Sequence, residues 1–278
     1  MSAAPSPPSP PSPLATPLAW NLVSAGYVQE NPAHFIAYAK DALDLAAVRT
    51  GERILDVAAG PGSLAVQAAQ RVGEVQALDF SADMLVHLKQ QAQAAGVSNV
   101  YAREGDGQAL PYDDSSFDAA FSMFGLIFFP ERARGFAELF RVLRPGGRAL
   151  VSSWQPMTRV PVLVSVFEAL AAELPDVPFG DGKGPLSDPA DLQRELSEAG
   201  FTRVEVVERV HGFDMPDADT LFASMRRSLA PLVLLEHRIG SEAFAPIAAG
   251  MQRRLRERYP GALHIDMPAW LGIGHKAG

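Results

Sequence analysis

Residues 53–65 read RILDVAAGPGSLA, an apolar run from Arg53 to Ala59 followed by a glycine-rich turn and a helix-forming segment. The apolar run predicts a buried strand. Gly60 and Gly62, having no Cβ, let the chain turn tightly and let a ligand approach the backbone. Gly60 to Ala65, GPGSLA, satisfies the spacing G-x-G-x-x-G/A of a dinucleotide-binding turn. Glycine turns also follow buried strands for packing alone, so the rest of the chain has to decide what this one serves.

Outward from this stretch the hydrophobic period alternates. Ser63 to Val72 predicts a helix, Val75 to Phe80 a strand, Ser81 to Ala95 a helix capped by Ser81 and closed by Gly96, and Val100 to Glu104 a strand. Phe117 to Met123 and Arg148 to Trp154 predict two more strands around a helix from Glu131 to Leu143, with Arg144-Pro145-Gly146-Gly147 as the helix stop and turn. Strand and helix in alternation over short links give the expected fold class: α/β, a doubly wound, mostly parallel, seven-stranded, Rossmann-like sheet. Before it, Leu18 to Val48 carries Phe35, Tyr38, Ala42 and Leu45 at helical spacing behind Asn31-Pro32. After it come a helix over Val160 to Leu174, an irregular loop LPDVPFGDGKGPLSDP, a helix over Asp188 to Ala199 closed by Gly200 and a strand over Arg203 to Val210. A long helical excursion over Asp217 to Tyr259, broken at Pro231, Gly240 and Pro246, precedes two short strand-like runs, Leu263 to Ile265 and Ala269 to His275. The expected organisation is a disordered Pro/Ser tail over 1–16, N-terminal lid helices over 17–50, and a ligand-binding domain over 51–278 with insertions near 155–188 and 217–260.

Composition bounds the function. The 278 residues suffice for a substantial core, and 24 basic against 32 acidic side chains give a net charge of −8, which argues against a dominant contact with nucleic acid. The basic run RRLRER, Arg253 to Arg258, reads as a solvated helix face. With no cysteine there are no disulfides, thiolate nucleophiles or thiolate metal sites, and no metal is expected. No apolar run reaches ~18 residues, so no membrane span is expected, and without a signal-peptide pattern the expected location is cytoplasmic. The expected partner is a small molecule, and the chain a monomer or homodimer.

Four loops beyond the strand ends carry the ligand question. Asp79 lies nineteen residues beyond Gly60, the distance at which a carboxylate can take both hydroxyls of a ribose. That geometry excludes a 2′-phosphate preference but leaves NAD and S-adenosylmethionine (SAM) both open. The third strand runs into REGDGQALPYDDSSFD, Arg103 to Asp118, where an acid beside a glycine can accept an adenine amino hydrogen. GDGQALPYDDSSFD, FSMFGLIFFP and ELFRVLRPGGRALVSSW, taken in order, resemble the class I SAM-dependent methyltransferases, in particular the ubiquinone/menaquinone-biosynthesis branch. The resemblance covers Arg49 to Trp154 in detail. It implies SAM as the cofactor, with Asp56, Ala58, Gly60 and Gly62 around its methionine part, and Asp79 on the ribose beside Phe80. It further implies Asp106, Gly107 and Gln108 at the adenine, Met84 packed on that ring, and Ser122 with Met123 at the methionine end. Ala58 stands where the family has its first glycine, and an alanine there is expected to demand a negative φ.

Methyl transfer from a sulfonium is an in-line displacement that needs orientation and exclusion of water, with a general base where the acceptor bears a proton. Of six histidines, His34 and His87 fall in predicted helices as surface or packing residues, His264 and His275 in the last hairpin, and His237 in the helical excursion. His211, just after the sixth strand, is the candidate base. Trp20, Tyr27, Phe124, Phe128 and Trp154 are the candidate acceptor pocket. The expected reaction moves the SAM methyl group to an O, N or C atom of a small aromatic or lipophilic molecule. An RNA or protein methyltransferase and a NAD-dependent oxidoreductase are the alternatives.

Overall fold

The computed structural model describes residues 12–30, 32–175 and 182–278. Most of the Pro/Ser tail, Asn31 of the helix-start signal and part of the Pro/Gly-rich loop lie outside the described residues. Seven strands form one sheet: β1 (Arg53–Val57), β2 (Glu74–Asp79), β3 (Val100–Glu104), β4 (Phe117–Met123), β5 (Leu143–Trp154), β6 (Thr202–Met215) and β7 (Leu263–His275), in the order β3-β2-β1-β4-β5-β7-β6. β1 to β5 are parallel, and β7 runs antiparallel between β5 and β6. The crossovers are α3 (Ser63–Ala69), α4 (Ala82–Ala94), α5 (Arg132–Val142) and α7 (Pro189–Glu198). N-terminal to the sheet lie α1 (Pro17–Glu30) and α2 (Pro32–Leu45). α6 (Pro161–Glu173) follows β5, and α8 (Ala218–Ser228), α9 (Ala230–Ile239) and α10 (Ser241–Arg258) lie between β6 and β7.

The sheet is buried on both faces, which is why its central strands read as continuous apolar runs rather than alternating ones. Ile54, Ala119 and Phe121 pack with Tyr38, Leu64, Leu85 and Leu88 on one side. Their neighbours Leu55, Val57 and Ala120 pack with Phe136, Leu139, Leu192 and Leu196 on the other. A third apolar layer joins α6, α8 and α10 to Phe213, Met215, Ile265 and Met267 near one end of β6 and β7. The strand order reverses between β1 and β4, so a crevice opens at their carboxyl ends.

Several boundaries differ from the sequence reading: α3 ends at Ala69 rather than Val72, and β6 runs to Met215 rather than Val210, so that His211 lies within the strand and not after it. β5 begins at Leu143 rather than Arg148, because Gly146, at φ +80°, and Gly147 form an irregularity inside the strand where the register with β4 shifts. The last two short runs are one strand: β7 passes through Pro268, which lacks an N–H but whose carbonyl accepts from the Gln155 amide at 3.1 Å, and β6 pairs with it in one register from Glu205 to Met215, after a shift between Thr202 and Glu205. Of the three expected helix breaks, Gly240 at φ +85° separates α9 from α10. Pro231 instead sits in the first turn of α9, where no N–H is needed, and Pro246 lies within α10.

Candidate active site

The crevice is a cavity of about 1010 Å³ that reaches from the glycine turn after β1 to the layer of α6, α8 and the far end of β6. At the turn, Asp79 is 4% exposed and holds two loops together: its Oδ2 accepts from the Gly60 amide and its Oδ1 from the Ser81 amide, both at 2.8 Å. Burial raises its pKa to about 6 against those donated bonds. Each oxygen retains a lone pair for a further donor.

Asp56 is the anomaly of the site. It is 1% exposed, lines the cavity, and neither of its carboxylate oxygens has a hydrogen-bond partner. Burial first, and the neighbouring Asp79 carboxylate second, push its pKa up to about 8; the Ala65 amide pulls the other way without reaching hydrogen-bond geometry. A buried, unpaired carboxyl facing a cavity is a receptor for a cation or a donor.

The third loop is cross-braced. Asp106 Oδ1 accepts from the Gln108 amide at 2.8 Å, and Gln108 Oε1 accepts from the Glu131 amide at 2.7 Å, tying the loop to the start of α5. Gly107 has to be glycine for packing, since a Cβ there would stand 2.5 Å from the Phe129 ring and 2.8 Å from Val57.

Ala58 corrects the sequence reading: it lines the cavity in the left-handed conformation at φ +58°. The turn overrides the preference of an L-residue, at a cost of ~1–2 kcal/mol. Ala58→Gly is therefore expected to stabilise the protein. Relief of that strain less the ~0.5–1 kcal/mol of added chain entropy leaves ~0.5–1 kcal/mol, read as a rise of a few degrees in Tm. An unchanged Tm would show that the turn is not strained.

Of the residues expected at the cofactor, Asp56, Ala58, Gly60, Asp79, Phe80, Met84, Asp106, Gly107, Gln108 and Met123 line this one cavity. Gly62 and Ser122 do not. Gly62, at φ +92°, lies against α4, where a Cβ would meet Leu88 at 2.9 Å. Ser122 is fully buried beneath Gly125, its hydroxyl without a partner.

The five expected pocket residues, Trp20, Tyr27, Phe124, Phe128 and Trp154, all line the cavity. Trp20 packs edge-on against Phe128 at 4.8 Å, and Phe124 stacks on Trp154 at 3.9 Å with the rings 14° apart. Phe124 takes a left-handed φ of +59°, unusual for so bulky a residue, and its amide donates to Ser152 Oγ at 2.9 Å. Burial pushes the Tyr27 phenol up, so it stays protonated. Six of the eight methionines in the chain line the cavity: Met84 and Met123 beside the cofactor loops, and Met157, Met215, Met225 and Met267 elsewhere on its wall.

His211, expected as the base, lies elsewhere. Its Nε2 is 2.7 Å from Asp41 Oδ2, and its backbone amide donates to the Tyr38 hydroxyl at 3.1 Å. Tyr38 packs edge-on against His211 and also against Phe124 and Trp154, so a tyrosine ring separates that imidazole from the cavity. The histidine that does line the cavity is His34, read from sequence as a surface or packing residue. Residues 12–16, expected within the tail, include a short helical turn, Pro13–Ala15; Leu14 lines the cavity and its carbonyl accepts from Trp20 Nε1 at 2.8 Å.

Comparison with known proteins agrees with this geometry. A family model described as a methyltransferase domain matches residues 54–147. A demethylmenaquinone methyltransferase of Thermus thermophilus is 38% identical over 123 residues, 44% of this chain and 56% of that protein. The chain spans about half the length of the curated relatives it matches. Among solved structures, the YcgJ protein of Bacillus subtilis superposes with a TM-score of 0.57 at 20% identity, covering 88% of this chain and 99% of that one. A phosphoethanolamine N-methyltransferase of Haemonchus contortus, solved with SAM, does so with a TM-score of 0.52 at 17% identity, covering 87% and 53%. No helix among the described residues is long and apolar enough to cross a membrane. Residues 54–147 thus match a methyltransferase domain, and they sit within a seven-stranded, mostly parallel sheet whose fold these solved structures share.

Proposed function

We propose that the protein is a SAM-dependent methyltransferase acting on a small lipophilic or aromatic acceptor. The observation that carries this reading is the single cavity itself. One end presents the glycine turn and the unpaired Asp56 carboxyl, and the other an apolar, methionine-rich chamber. A volume of about 1010 Å³ lies at the upper limit of the ~300–1,000 Å³ of single-ligand pockets, which suits a cofactor and an acceptor side by side.

The residues fit SAM on chemical grounds. Asp79 would hold the ribose diol, Asp106 with Gly107 and Gln108 would read the adenine, and Met84 would pack against the ring. Asp56, which burial keeps largely protonated in the free protein, would ionise against a ligand that carries a sulfonium and an ammonium. A pyrophosphate on the same turn would face both Asp56 and Asp79 at close range, which argues against the NAD reading. When bound, SAM supplies a methyl group already activated for displacement. The chain's own part is to orient the acceptor and keep water out, and the aromatic wall of Phe124, Phe128 and Trp154 does both. Methionine side chains adapt their shape to flat or branched hydrocarbon, which supports a lipophilic acceptor. An RNA or protein acceptor is disfavoured by the net charge of −8.

Calorimetry with SAM and with NAD tests the reading: SAM is expected to bind and NAD not. NAD binding without SAM binding would overturn it.

A further inference from the structure

His34 stands in the cavity wall at the first turn of α2 and is 8% exposed. Among the described residues it is the only histidine there. Its ring is held by stacking alone, 4.6 Å from the Phe35 ring and 5.2 Å from that of Phe213, with 36° and 23° between the planes. The imidazole has no hydrogen-bond partner among the described residues, unlike His211 and His264, which pair with aspartates. Burial first, and the nearby His211 second, hold its pKa at about 4, so the ring is neutral at physiological pH and has one nitrogen free to accept. Phe35 itself touches Phe124 and Trp154, the stacked pair at the end of β4 and β5, so His34 lies one ring away from the wall beside the cofactor loops. Glu30, another charged group of the N-terminal helices on the wall, is paired with Arg227 at 2.6 Å. The ring nitrogens of His34 are not among the sealed, unpaired polar atoms, so they open on the cavity, where a ligand hydroxyl can reach them.

We propose that His34 is the acceptor-binding and proton-accepting residue, and that the acceptor is a flat lipophilic molecule presenting a hydroxyl to it. This inference rests on the methyl-transfer reading. As the acceptor oxygen bonds to the methyl carbon, the sulfonium S–C bond breaks with its electron pair left on sulfur, and the hydroxyl proton passes to the free nitrogen of His34. A weakly basic imidazole suffices, because the oxygen becomes strongly acidic as it is methylated. The imidazolium then releases its proton to solvent when the product leaves.

The test uses the full chain with S-adenosylhomocysteine bound, and 2-naphthol and naphthalene as probes. Wild type is expected to bind 2-naphthol about tenfold more tightly than naphthalene. His34→Phe is expected to abolish that preference while still binding naphthalene, and His34→Gln to keep part of it. With SAM, wild type is expected to convert 2-naphthol to its methyl ether and His34→Phe to do so at least a hundredfold more slowly. Equal binding of the two probes, no binding of either, a preference surviving in His34→Phe, or 2-naphthol binding without methylation would each overturn the proposal while leaving the cofactor site intact. Failure of wild type to bind either SAM or S-adenosylhomocysteine would overturn the methyl-transfer reading itself.

Discussion

Asp56→Asn is expected to make the free protein more stable at pH 8 and, at the same time, a poorer binder of SAM. The carboxyl is buried with both oxygens unpaired, and its pKa stands at about 8 against 3.8 for the ordinary group. A carboxyl whose folded pKa lies above its unfolded one binds its proton more tightly in the folded state. Its contribution to stability is therefore fully present below pH ~4 and is lost as the pH rises through ~8. At pH 7 the unfavourable linkage is roughly 4 kcal/mol as an upper bound, the largest single effect expected in this chain. Asp79, with its pKa at about 6, adds a loss of the same sign over a narrower window. Asparagine fills the same space without the charge, so the pH dependence of the unfolding free energy between pH 4 and 8 should flatten in the variant. Denaturant unfolding at several pH values, alongside calorimetry with SAM, checks both halves. A variant as pH-dependent as wild type would remove Asp56 as the source, and undiminished SAM affinity would remove it from the site. Stability lost to an unpaired buried carboxyl and recovered when a ligand binds is the signature of a functional position.

Asp79→Ala is expected to weaken SAM binding by ~1–3 kcal/mol, or roughly five- to 150-fold, through loss of charge-assisted hydrogen bonds to the ribose. A second cost comes with it. The Gly60 and Ser81 amides lose their acceptors, and with them the tie between the two loops. Each buried donor left unpaired costs ~1–3 kcal/mol, so Tm should fall as well. Asp79→Asn keeps one acceptor oxygen and separates the effects: it should recover much of the Tm and little of the affinity. Unchanged affinity in a folded Asp79→Asn would refute the ribose assignment.

The legible parts of this protein were those set by local period and local chemistry. β3 and β4 match their expected spans because each is a short apolar or alternating run bounded by turn residues. Ser81 caps α4 as expected, its hydroxyl accepting from the Met84 amide at 3.2 Å. The carboxylates at 56, 79 and 106 fall on one cavity because a parallel sheet delivers every such loop to the same edge. What eluded the sequence depends on partners far along the chain. β7 reads as two fragments until β6, some fifty residues earlier, pairs with it through Pro268. Ala58 reads as a negative-φ residue until the turn it completes imposes the opposite sign.

The histidines show the division most clearly. His34 and His211 are both plausible as chemistry, and position in the chain favours His211, just past the sixth predicted strand. The tertiary structure places Tyr38 between His211 and the cavity and stacks His34 on Phe213 at its wall. By itself the sequence determined the parallel sheet, the glycine turn and the acidic residues beyond the strand ends, because period and turn chemistry act over a few neighbours. Only the tertiary structure decided which imidazole meets the cavity, and which carboxyl is left without a partner, because burial is set by contacts between segments that the sequence holds far apart.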